Sequence, residues 1–151
     1  MSVWENFTAD ELKLVQAALE ARRNAQAPYS NFTVGAAVLM EDGSIFKGCN
    51  VERANFTSTS HAEQVAIDSM IASRGPSGIV AVAIVGGPRG KEPNGSVWPC
   101  GHCRQIIWEN SLGKRGVRII AIAGMREVQT STIGELFPKA FGPEDLGIKI
   151  A

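Results

Sequence analysis

Apolar residues in this chain fall into short runs separated by polar punctuation, and the spacing inside each run assigns an element. Thr8-Ala9-Asp10-Glu11 has capping-box form, in which Thr8 and Glu11 each satisfy a free backbone donor at a helix start. The helix it opens carries Leu12, Val15 and Leu19 at helical spacing and runs to about Arg23. Residues 32–40 form an apolar, β-branched run, and Glu41-Asp42-Gly43-Ser44 turns it into a second strand over 45–51, so the two should pair antiparallel. A polar loop over 53–60 leads to a helix that starts near His61 and ends before Gly75-Pro76. Residues 79–85 are continuously apolar, as in a strand buried on both faces. Residues 86–97, rich in Gly, Pro and charge, read as a surface loop, and a helix follows from the Cys100 region to about Asn110. A second buried strand covers 117–123, and Thr132-Ile133-Gly134-Glu135 repeats the capping-box pattern before a short helix broken by Pro138. There is no internal repeat, low-complexity tract or linker. The order αββαβαβα implies an α/β fold, a three-layer α/β/α sandwich around a mixed sheet.

Composition narrows the function classes. At 151 residues the chain is expected to be one domain, spanning 1–151, able to bury a core without staples. Fifteen basic residues balance fifteen acidic ones, so no global field draws the protein to nucleic acid or an anionic membrane. Three cysteines, two of them in a C-x-x-C, argue against a disulfide framework and for reduced thiols in the cytoplasm. Met1-Ser2-Val3-Trp4-Glu5 lacks the basic-then-apolar layout of a secretory leader, and no apolar run approaches a membrane span.

The chemistry concentrates in His61-Ala62-Glu63 and Pro99-Cys100-Gly101-His102-Cys103. His61, Cys100 and Cys103 are three metal ligands of the type zinc prefers, and three protein ligands leave a fourth position open for water, the catalytic arrangement. Both pieces fall at helix starts, where partial positive charge should lower thiolate pKa and Pro99 suits a helix entry. Glu63, two residues from one ligand, is the candidate proton shuttle. A carboxylate beside a zinc-activated water can accept its proton, pass it to a ring nitrogen and later protonate a departing amine. The bland alternative for Ser60-His61-Ala62-Glu63 is a capping box; for C-x-x-C it is a closed structural site or a redox pair. A closed site needs a fourth protein ligand, and only His102 and Cys49 remain. His102 lies between the cysteines and should point elsewhere, and Cys49 ends a strand.

The pattern H-x-E…P-C-x-x-C is that of the zinc nucleobase deaminases. Over nearly its full length the chain resembles the cytidine deaminase family, through Tyr29-Ser30-Asn31-Phe32-Thr33-Val34-Gly35-Ala36, Gly48-Cys49-Asn50-Val51-Glu52, Cys100-Gly101-His102-Cys103-Arg104-Gln105 and Glu135-Leu136-Phe137-Pro138-Lys139-Ala140-Phe141. The resemblance implies a five-stranded sheet, one zinc per subunit on His61, Cys100 and Cys103, and catalysis by Glu63. It implies that Phe32 packs on a pyrimidine, that Asn50 and Glu52, with Val51 between them, read the ribose 3′-hydroxyl, and that the Ala62 backbone holds the base. Phe141 would reach a neighbour's site in a homotetramer. The implied reaction is hydrolytic deamination of cytidine or deoxycytidine in pyrimidine salvage. Short members use three thiolates with an arginine after the glutamate; here His61 replaces one thiolate and a neutral Gln64 stands in the arginine's place. Arg53, Phe56, Thr57-Ser58-Thr59-Ser60 and Trp98 depart from the family pattern near the expected pocket.

Other readings stay open on the residues. A deaminase of a modified cytosine nucleoside such as blasticidin S shares the zinc motif, although a glutamate like Glu52 favours a plain ribose. Polynucleotide editing is disfavoured, because a carboxylate at the 3′-hydroxyl repels a 3′-phosphate and balanced charge offers no phosphate track. A zinc-stapled binding module would leave Glu63 without a task.

Overall fold

The computed structural model describes residues 2–124 and 126–151. In chain order they form α1 (Ala9–Arg22), β1 (Phe32–Met40), β2 (Ile45–Cys49), α2 (Ala62–Arg74), β3 (Ile79–Pro88), α3 (Gly101–Ser111), β4 (Arg118–Gly124), β5 (Glu127–Thr132) and α4 (Ile133–Leu136), with 3-10 turns at Phe56–Ser58 and Pro143–Leu146. The strands make one mixed sheet in the order β2-β1-β3-β4-β5. β1 runs antiparallel to β2 and β3, β3 parallel to β4, and β4 antiparallel to β5.

Strand alternation divides the core between the two faces. From β1, Ala36, Val38 and Met40 join Ala66, Ile67 and Met70 of α2 and Ile107 of α3. Ala37 and Leu39 point the other way, onto Leu14, Val15 and Ala18 of α1. This is the expected three-layer arrangement. Two glycines set how tightly the layers close. A Cβ on Gly35 would lie 2.1 Å from the Ala18 carbonyl oxygen, and one on Gly48 would lie 2.5 Å from the Ala66 nitrogen and 2.6 Å from the Ala62 oxygen. Helix α1 therefore rests backbone-on-backbone on β1, and the first turn of α2 does the same on β2.

Several expectations change. α1 does form behind its capping box, Thr8 and Glu11 bonding reciprocally at 3.0 and 3.1 Å. Its buried face, however, is Leu14, Val15, Ala18 and Ala21, while Leu12 is exposed. α1 meets Gly35 through Ala18 and Arg22, and that approach turns Leu14, Val15 and Ala18 onto the sheet. Regular pairing in β2 stops at Cys49; beyond it Val51 bridges Gln26 and Ser60 individually. β3 continues through Gly86-Gly87-Pro88, because β1 opens at Phe32 and pairs with all three. β5 was not expected from its own residues. It is a polar edge strand, hairpinned onto β4 with Gly124 opposite Glu127, and a polar edge is how a sheet discourages further pairing. Among the described residues no helix is long and apolar enough to cross a membrane.

Candidate active site and metal centre

The packing of α2 and α3 on one sheet face brings their N-termini together. His61 is the N-cap of α2 and Cys100 the N-cap of α3, and neither side chain makes a capping hydrogen bond. Both are thereby free to face a third group. The capping-box alternative at Ser60 is excluded by the same observation, since His61 holds the N-cap. Cys103, one turn into α3, is fully buried. His61 Nδ1 lies 3.4 Å from each of the two sulfurs, and the donor atoms of His61, Cys100 and Cys103 all fall within 4.8 Å of one another. Among the described residues no fourth His, Cys, Asp or Glu joins this group. His102 turns away to Gln64, and Cys49 is a half-buried free thiol at the end of β2.

The donor set fits zinc in composition and convergence. Burial, then the Glu63 and Cys100 charges, push the Cys103 thiol well above its ordinary range. The expectation that a helix start makes the thiols acidic is therefore corrected at Cys103, where desolvation outweighs the helix field. A cation among the donors is what reverses that balance, because a coordinated thiol is held as thiolate.

Glu63, also in the first turn of α2, is buried, and its Oε2 accepts a 3.4 Å hydrogen bond from the Cys103 thiol. It opens onto a cavity of about 230 Å³ lined by Val34, Asn50, Glu52, Thr59, Ser60, His61, Ala62, Glu63, Val97, Trp98 and Cys100. The two donor-bearing helix starts thus share one cavity with the end of the β2 segment. Val97 and Phe32 crowd Gly86, where a Cβ would meet each at 2.9 Å. Larger cavities exist elsewhere, one of about 400 Å³ beneath the C-terminal segment and one of about 680 Å³ beside Arg22 and Arg89, but neither is lined by His61, Cys100, Cys103 or Glu63.

The polar floor of the cavity is built by local hydrogen bonds. Asn50 Oδ1 accepts from the Val34 N–H at 2.8 Å, and its amide donates to the Phe32 carbonyl at 2.9 Å. Glu52 is buried, with Oε1 accepting from the Tyr29 and Ser30 N–H groups at 3.0 Å each and Oε2 accepting from the Ser30 hydroxyl. These bonds, the Ser30 hydroxyl foremost, hold its carboxyl below the ordinary range, so it stays ionised. Residues 8–117 match the family described as the cytidine and deoxycytidylate deaminase zinc-binding region. The chain belongs to the cytidine deaminase family. It is 39% identical over 137 residues to a cytidine deaminase of Sporosarcina psychrophila, covering 91% of this chain and 95% of that one. A cytidine deaminase of Halalkalibacterium halodurans is 38% identical over 137 residues, at 91% and 98% coverage. The crystal structure of cytidine deaminase from Burkholderia pseudomallei superimposes with a TM-score of 0.76 at 39% identity, covering 86% of this chain and 98% of that chain.

Not every residue that the family resemblance singled out lines the cavity. Asn50, Glu52, Ala62 and Glu63 do; Phe32, Val51 and Phe141 do not. Phe32 is exposed, and its ring crowds Gly86 as Val97 does. Val51 spends its N–H and carbonyl on Ser60, at 2.9 and 3.0 Å, and so holds the approach to His61 in place. Phe141 is 61% exposed, its carbonyl accepting from Gln105. Conversely, Val34, Thr59, Ser60, Val97 and Trp98 are walls that residue patterns did not single out as contacts. Only Trp98 and the Thr59-Ser60 segment carried a signal, as departures from the family pattern.

Proposed function

We propose that this chain, as one zinc-dependent domain over residues 1–151, hydrolyses the amino group of cytidine and deoxycytidine, giving uridine or deoxyuridine and ammonia. The observation that carries the reading is the meeting of a buried carboxylate, Glu63, with a three-donor group of which His61 and Cys100 share its cavity wall. When bound by His61, Cys100 and Cys103, one zinc per chain supplies a Lewis acid that brings the pKa of a water near 7. Glu63 would take a proton from a water facing C4 and deliver it to N3 of the pyrimidine as the water oxygen bonds to C4. The same carboxyl would then take the proton of the new C4 hydroxyl and pass it to the C4 amine, so that the C–N bond breaks, ammonia leaves and the C4 carbonyl forms.

Asn50 and Glu52 are the proposed ribose readers. Of the roughly four lone-pair sites on the Glu52 carboxylate, three are taken, which leaves Oε2 free to accept one hydroxyl proton. Asn50 retains one amide N–H to donate to the same hydroxyl. One acceptor and one donor side by side match a sugar hydroxyl and repel a 3′-phosphate. Ala62 offers main-chain groups to the base at the helix start, and Phe32 lends an aromatic rim with Val51 holding the loop behind it.

The cavity, at about 230 Å³, is below the ~300–1,000 Å³ usual for small-molecule sites, and it is open to solvent on one side. We therefore keep the homotetramer as part of the proposal, with Phe141 from a neighbour as the lid. Reduced Cys100 and Cys103 thiols suit a cytoplasmic setting, and the reaction suits pyrimidine salvage.

The test is ammonia release from a panel of cytidine, deoxycytidine, free cytosine, cytidine 3′-phosphate, blasticidin S and a cytosine oligonucleotide, with zinc quantified in the same preparation. Activity on the two free nucleosides in zinc-loaded protein is expected. Activity on the 3′-phosphate equal to that on cytidine refutes the ribose assignment, and ammonia only from blasticidin S or the oligonucleotide refutes the substrate.

A further inference from the structure

His102 and Gln64 have no part in the chemistry above, yet they face each other across the metal centre. Gln64 follows Glu63 in the first turn of α2, and His102 sits between Cys100 and Cys103 in the first turn of α3. His102 Nε2 and Gln64 Oε1 are 3.2 Å apart, so the ring N–H donates to the side-chain amide oxygen. The same ring lies against that of His61, centroids 4.7 Å apart and planes tilted by 36°. One side chain thus touches both the helix carrying Glu63 and the face of a metal-donor imidazole. Among the described residues, every other side-chain hydrogen bond between the α2 and α3 starts is made by His61, Cys100, Cys103 or Glu63. Those bonds are given up when the donors ligate a cation. The His102–Gln64 bond remains.

We propose that Gln64 and His102 are positioning residues, a latch whose hydrogen bond holds the two helix starts at the separation zinc requires. The proposal rests on the metal reading given above. It follows from the geometry of the donors. Cys100 and Cys103 belong to one rigid helix, whereas His61 arrives from the other, so α2–α3 separation is the coordinate along which the site can fail. Glu63 rides on α2 with His61, and a loosened latch displaces both together. Outer contacts of this kind typically carry 10- to 100-fold in metal affinity, and an indirect one belongs at the lower end.

The experiment measures zinc transfer from the purified holoenzyme to excess chelator. His102→Phe keeps a ring against His61 without the donor; His102→Gln restores an amide donor without the ring. Gln64→Ala removes the acceptor. We expect Gln64→Ala and His102→Phe each to lose zinc about 10-fold faster than wild type. The double variant should be no faster than either single, since the pair acts as one unit. His102→Gln should stay within about threefold of wild type, below that range. In cobalt-substituted protein the visible ligand-field bands of Gln64→Ala should broaden, which loss of general stability alone does not produce. Wild-type release rates in all variants overturn the latch and leave the deaminase reading standing. Equal loss from His102→Gln and His102→Phe also overturns it, by assigning the effect to something other than the hydrogen bond. Wild-type protein that binds neither zinc nor cobalt refutes the metal reading itself.

Discussion

Replacing Gly48 by alanine tests whether the sheet positions the chemistry. The new Cβ would lie 2.5 Å from the Ala66 nitrogen, 2.6 Å from the Ala62 oxygen and 2.8 Å from Val65 Cβ. Two of these neighbours are helix backbone, so no rotamer change relieves the overlap. Ordinary contact begins at 3.4 Å, and opening the closest pair to that distance lifts the start of α2 from β2 by about 0.9 Å. His61 and Glu63 travel with it, while Cys100 and Cys103 stay on α3. A misplacement of about 1 Å in a catalytic group can cost about 100-fold, so kcat/KM for cytidine should fall by roughly two orders of magnitude. Overpacking of this kind also costs about 1–3 kcal/mol, or a Tm drop of roughly 2–12 °C for a domain of this size. The assay is the absorbance change on deamination, with Tm and zinc content measured on the same sample. Gly116→Ala is the control, because nothing lies within 4 Å of a Cβ there. If Gly48→Ala keeps kcat/KM within about twofold while the fold is intact, the close approach does not set the site.

Three further outcomes are expected. Glu63→Gln should retain zinc and fold but lose about 10²–10⁴-fold in kcat, since an amide cannot shuttle the proton; a variant keeping more than roughly a tenth of wild-type rate removes Glu63 from that role. Glu52 is held ionised by Ser30, so its contribution to stability and binding is present above the ordinary carboxylate pKa of about 4.3 and lost as pH falls through its lower folded value. Ser30→Ala should move the acid limb of the KM–pH profile to higher pH, and an unmoved limb contradicts the pairing. Phe141→Ala should weaken cytidine turnover by about 1–2 kcal/mol, as loss of a buried aromatic anchor does, although Phe141 lines no part of its own chain's cavity; a fully active monomer by light scattering ends the lid proposal.

Elements with chemical punctuation were legible from the chain alone. Thr8 and Glu11 mark α1, Glu41 to Ser44 turns β1 into β2, and Thr132 and Glu135 cap α4, each through a local bond that needs no tertiary partner. The metal group was equally legible, since its residue types and spacing are themselves the chemistry. What escaped depends on distant neighbours. β5 carries almost no apolar signal, because an edge strand gains its order from β4 rather than from burial. The buried face of α1 is chosen by Gly35, which lies outside the helix. Val34, Val97 and Trp98 become cavity walls only once β1 and the loop before α3 meet beside α2. Val51 read as a strand residue and is in fact a clip on Ser60, a distinction that resides in register.

The uncapped state of His61 and Cys100 sets two selections against each other. A side chain that turns inward to ligate cannot also satisfy the first amides of its own helix. Serine, aspartate or asparagine at an N-cap is worth about 0.5–2 kcal/mol over a side chain that makes no such bond. Positions 61 and 100 are therefore sites where the metal-free chain could be made more robust by single substitutions that also destroy its centre. A screen for heat or protease resistance conducted in chelator would enrich those changes, and the survivors would be durable, correctly folded and inert. Directed evolution of this scaffold has to be run on the loaded protein, where ligation offsets what the two missing caps leave undone.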